Sequence, residues 1–115
     1  MAKTTHAAAL LIGVGLAAGV GVAAAQTLNL YTARHYDSDE ALYDAFEERS
    51  GIEVNVLQGD SDQLIERIER EAEASPADVF MTVDAARLRR AEAAGILAPV
   101  ESAVLAERIP AELRH

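Results

Sequence analysis

Apolar and polar positions along this chain change period several times. Leu28 to Ala33 reads as a short apolar strand, and Ser38 to Ser50 as a helix that gathers Ala41, Leu42, Ala45 and Phe46 on one face before Gly51 stops it. The β-branched run Ile52 to Leu57 predicts a second strand. A helix follows from Ser61 to about Ala74, with Leu64, Ile65, Ile68 and Ala72 as its buried stripe, and Ser75-Pro76 ends it. Asp78 to Val83 predicts a third strand. Asp84 then opens a helix that runs through Leu88 and Ala91 and stops at Gly95, ahead of Ile96-Leu97. Ser102 to Glu107 reads as a short helix that Ile109-Pro110 breaks. Strands separated by helices of this length require right-handed crossovers and a parallel sheet, so the fold class is α/β.

The first 25 residues change that picture, because they belong to a different solvent. Lys3 supplies a positive start, Ala7 to Ala25 carries no charge, and Ala23-Ala24-Ala25 offers the small residues a signal peptidase needs before Gln26. Residues 1–25 are therefore expected to be a cleavable signal peptide, and the mature protein is expected in the periplasm. The competing reading, a retained anchor, suffers from the weak hydrophobicity of so much Ala and Gly. There is no twin-arginine pair, and no cysteine follows the run to accept a lipid. Removing residues 1–25 removes Lys3 alone among charged residues, leaving nine Lys and Arg against 19 Asp and Glu, a formal charge of -10. Such a surface repels nucleic acid and anionic lipid. The absence of cysteine excludes disulfides, thiolate metal sites and thiol catalysis, so any metal here must be held by oxygen and imidazole.

Ligands of parallel α/β sheets collect at the carboxyl ends of the strands, where the following helices begin. Asp37 with Glu40, and Asp60 with Gln63, have capping-box spacing, and Asp84 is a third cap. Asp37, Asp39, Glu40, Asp60, Asp62 and Asp84 at these helix starts neutralise the positive potential that would otherwise attract a bare phosphate. On the same rim, directly after the first strand, stand Arg34, His35 and Tyr36. An imidazole beside a phenol suits a hard ion such as ferric iron, which stabilises the ionised phenol; Arg34 would balance that charge from behind or simply face solvent. The plainer alternative is a surface pair in which Tyr36 packs on the first helix. Glu66-Arg70 reads as an i,i+4 pair on a solvated face, and Arg87, Arg89 and Arg90 as an exposed helix face or a small basic patch. Phosphate loops, dinucleotide glycines, nucleophile elbows and paired-histidine zinc helices are all absent.

Several ordered blocks carry a resemblance: Leu28 to Tyr36, Asp39 to Tyr43, Ser50 to Asn55, Ser75 to Val79 and Ala91 to Leu97. Together they are similar to the N-terminal part of the periplasmic ferric iron-binding proteins of ABC importers. The resemblance implies a type II periplasmic binding fold of two α/β lobes, with Fe³⁺ held in the cleft as cargo and delivered to an inner-membrane ABC permease by a protein that is monomeric at full length. It places His35 and Tyr36 in the metal site; Tyr31, which alternates into the strand, and Tyr43, one step off the apolar stripe of its helix, are not carried over. Length is the departure: residues 26–115 read as an incomplete N-terminal α/β lobe, without the second lobe or the later tyrosines that complete the iron site, and so as a fragment. Two other functions stay open at this point. One is the same fold serving a polyamine, an oxyanion or a sugar. The other is an exported α/β hydrolase with His35 as base, which lacks a nucleophile because Ser38, Ser61 and Ser75 all sit at helix starts or breaks.

Overall fold

The computed structural model describes residues 26–114, so the expected signal peptide lies outside the described residues. Within them the chain runs β1 (Thr27–Thr32), α1 (Asp37–Ser50), β2 (Glu53–Gln58), α2 (Ser61–Glu71), a 3₁₀ turn (Ala72–Ala74), β3 (Val79–Met81), α3 (Ala85–Ala93), α4 (Ala103–Arg108) and a last 3₁₀ turn (Ala111–Leu113). The three strands form one parallel sheet in the order β2-β1-β3. Thr27 to Thr32 pairs with Glu53 to Gln58 along its whole length, and Leu30 to Thr32 pairs with Val79 to Met81. β1 is therefore the centre of the sheet, which explains why Leu30, Tyr31 and Thr32 are buried. β3 is shorter than the run Asp78 to Val83 predicted. Asp78 turns its carboxylate onto the main-chain N–H of Asn29 (2.8 Å) before ladder pairing begins.

The helix predicted over Ser61 to Ala74 is α2 plus a turn. Leu64, Ile65 and Ile68 are buried as its stripe required. Leu64 and Ile68 pack with Tyr31 over a layer of Leu57, Phe80, Ala77 and Ile96. Ala72 leaves the stripe because its backbone breaks the helix at φ 47°, ψ -129°. α2 and α3 are tied across their surfaces by Arg90, which reaches Asp62 at 2.6 Å and Glu66 at 3.5 Å. The expected Glu66-Arg70 pair does not form, since Glu66 faces Arg90. Arg67 pairs with Glu71 instead, at 2.7 Å.

α1 departs furthest from its periodicity. Its start is not the Asp37 capping box: Tyr36 occupies the N-cap with no side-chain cap, and the main-chain N–H of Asp39 donates to the Tyr36 carbonyl (2.9 Å). Asp60 and Asp84 do cap their helices, accepting from Asp62 and Gln63 and from Arg87 respectively. The stripe that should have been inside stays out, with Leu42 58% and Phe46 38% exposed, while the buried residue of α1 is the charged Asp39. Gly51 ends the helix in the left-handed region, φ 70°, and its N–H donates to the Glu47 carbonyl.

Candidate functional site

β1 delivers the candidate residues. Its end is stitched to both neighbouring strands: the Gly59 N–H donates to the Thr32 carbonyl (3.1 Å), and the N–H of the next residue, Ala33, donates to the Met81 carbonyl (2.9 Å). The chain then turns sharply, with the Arg34 N–H donating to Thr32 Oγ1 (3.0 Å) and Gln58 Nε2 to the Arg34 carbonyl (3.1 Å). Residues 34–36 thus sit on the rim formed by the carboxyl ends of the three strands, where this architecture receives ligands. Beside them, Ser61 at the start of α2 shares a hydrogen bond with Thr82 past the end of β3 (3.0 Å), which closes the rim on the β3 side.

His35 and Tyr36 are both exposed, and their rings stack with centroids 5.7 Å apart and planes 18° from parallel. His35 stands between two open hollows of about 430 and 440 Å³, one reaching Gly59, Ser61 and Arg87, the other reaching Tyr36, Tyr43 and Gln58. Tyr36 is 58% exposed at the N-cap of α1. Its ring lies under the Arg34 guanidinium, whose central carbon is 5.3 Å from the centroid.

Arg34 is not a loose solvent-facing base. Its Nη2 donates to Asp39 Oδ1 at 2.8 Å and its Nε to Asp39 Oδ2 at 3.1 Å, a two-pronged pair that uses the flat guanidinium edge. That bond holds the Asp39 carboxyl below the usual carboxylate range and pushes the Arg34 guanidinium higher still. Across the rim, the Arg87 N–H and then its guanidinium hold the Asp84 carboxyl low in the same sense. Both cations near the rim therefore have carboxylate partners. In the described residues, no group of three or more His, Asp or Glu side chains is placed to hold a metal ion. What these residues offer a hard ion is one imidazole and one phenol on an open surface.

Two residues of this surface escaped the sequence reading. Asp39 looked like one more acid in a helix start, and its signal was only the five-residue spacing from Arg34. Tyr43, set aside because it lies off the apolar stripe of α1, turns inward beside Tyr36, and its hydroxyl is buried without a hydrogen-bond partner among the described residues.

A parallel β2-β1-β3 sheet with flanking helices and a polar rim at its strand ends is part of the first lobe of a type II periplasmic binding protein. The chain belongs to the bacterial extracellular solute-binding protein family, which matches residues 28–111. It is 52% identical over 93 residues to Iron uptake protein A2 of Synechocystis, an alignment that covers 81% of this chain and 25% of that protein. Among solved structures it is similar to the Trichodesmium protein IdiA, or FutA, in complex with iron and citrate (57% identity, TM-score 0.74, 77% of this chain and 28% of that one). It is also similar to the ferric binding protein from Campylobacter jejuni (46% identity, TM-score 0.75, 76% and 28%). The chain spans about a quarter of the length of the curated relatives it matches.

Proposed function

We propose that this chain is the opening part of a periplasmic solute-binding protein that captures ferric iron and hands it to an inner-membrane ABC permease for uptake. Residues 1–25 direct export and are cleaved, and residues 26–115 form part of the first lobe. His35 and Tyr36 contribute donors to the ion. The ion is cargo, held and released without bond chemistry, so the protein is a receptor and not an enzyme.

The observation that carries this reading is the exposed imidazole and phenol at the carboxyl end of the central strand, in a chain about half identical to an iron uptake protein. Phenolate and imidazole are donors that a hard trivalent ion prefers, and coordination drives the phenol to release its proton. Two donors leave most of the coordination sphere for groups beyond these residues. Closure of a second lobe over the rim would bring them, as hinge-type receptors do.

The test is a ferric titration of a graft in which this chain replaces the matching segment of the Synechocystis relative, alongside the graft carrying Tyr36→Phe. The parent should develop the visible phenolate-to-iron absorption. The variant should lose part of that band and bind more than about 100-fold more weakly, since even groups that only support a ligand cost about 10- to 100-fold when removed. Unchanged affinity and spectrum in Tyr36→Phe would take Tyr36 out of the site.

A further inference from the structure

We infer that Arg34 and Asp39 are positioning residues for Tyr36: the carboxylate fixes the plane of the guanidinium, and the guanidinium fixes the phenol ring. The inference rests on the reading of Tyr36 as an iron donor. Its starting point is that Tyr36 is 58% exposed, so the ring has little packing to choose one rotamer, and a phenol free to rotate must be ordered each time an ion is bound. Two planar groups flank it. His35 stacks at 5.7 Å but is itself exposed, so it has little packing of its own with which to fix a neighbour.

Arg34 is held at four points. Its main-chain N–H donates to Thr32 Oγ1 and its carbonyl accepts from Gln58, while Nε and Nη2 both donate to Asp39. Asp39 is 6% exposed in the first turn of α1, and its own N–H donates to the Tyr36 carbonyl. The acid therefore grips the residue to be positioned through the main chain and its stacking partner through the side chain. A lysine at position 34 would keep the charge but lose the flat, two-pronged fork and the broad face over the ring. A merely structural ion pair would pin α1 to the end of β1 and be indifferent to where the phenol points.

Two measurements separate these roles. In the 115-residue chain without iron, Arg34 side-chain protons should show upfield ring-current shifts from Tyr36, and Asp39→Asn should abolish them while the fold, followed by circular dichroism, persists. In the ferric titration of the graft, Arg34→Lys and Asp39→Asn should each weaken iron binding by about 10- to 100-fold and keep a phenolate-to-iron band of altered position. The double variant should be no worse than either single one, because the two residues act as a unit. Parent-like affinity in Arg34→Lys, or a lowered unfolding temperature with unchanged affinity and spectrum, would overturn the inference. If Tyr36→Phe binds iron as the parent does, the functional reading fails instead, and the ring-current measurement still decides whether Arg34 holds the ring.

Discussion

Replacing Ala72 by glycine should make this protein more stable, against the usual sign of a change that removes a side chain. Ala72 sits where α2 ends, with φ 47° and ψ -129°, a conformation that an L-residue with a Cβ adopts only under strain. Holding such a residue costs on the order of 1–3 kcal/mol. Glycine removes that strain but loses more backbone freedom on folding, about 0.5–1 kcal/mol. Ala72 is exposed, so no packing is lost with its methyl, and its N–H, which donates to the Ile68 carbonyl, is retained. The balance is a gain of about 1 kcal/mol, or a rise of about 4–8 °C in unfolding temperature for a domain of this size. The control is Ala45→Gly, exposed in the interior of α1 where the backbone is helical. There glycine should cost about 1 kcal/mol and lower the unfolding temperature by a similar amount. Thermal unfolding followed by circular dichroism reads both. A drop for Ala72→Gly equal to that for Ala45→Gly would refute the argument that the break in α2 is strained.

Tyr31→Phe removes a buried hydroxyl that donates to both Glu71 oxygens at 3.2 Å, yet Glu71 still accepts from Arg67 Nε at 2.7 Å and Ser75 Oγ at 2.8 Å. Because no acceptor is stranded, the loss should be about 1 kcal/mol, seen as a lower urea midpoint with unchanged slope; a loss above about 3 kcal/mol would mean that Tyr31 anchors Glu71 alone. Acid should unfold the chain through three carboxyls held below their ordinary values: Glu71 by the hydrogen bond from Arg67, Asp39 by the one from Arg34, and Asp84 by the main-chain N–H of Arg87. Folded, they bind protons more weakly than unfolded, so the stability they confer is present above the ordinary values of 4.5 and 3.8 and is lost as pH falls through and below them. The unfolding temperature should stay level from about pH 7 to 6 and fall below about pH 5, with a shallower fall in Glu71→Gln; a flat profile down to about pH 3.5 would refute the sign.

The order and type of the elements were legible because each has a local cause: a β-branched run, a helical stripe, a capping acid, a glycine that ends a helix. Where periodicity failed, it failed for one reason, which α1 and α2 show side by side. Both carry an apolar stripe of similar length on one face. α2 buries it, because Tyr31, Leu57 and Phe80 lie beneath Leu64 and Ile68. α1 leaves Leu42 and Phe46 open, since the stripe of a helix specifies that a partner is wanted and says nothing of which segment supplies it. The candidate site divides along the same line. His35 and Tyr36 could be found because their chemistry and their place after a strand are written at adjacent positions. Asp39 could not, since an acid in a first helical turn reads as a favourable charge for the helix end whether or not a guanidinium lies over it. Only the turn at Ala33, which folds Arg34 back across the start of α1, converts that acid from a helix-end charge into the anchor of the rim. A donor can thus be read from residue type, whereas what holds the donor still depends on a backbone path that residue type does not encode.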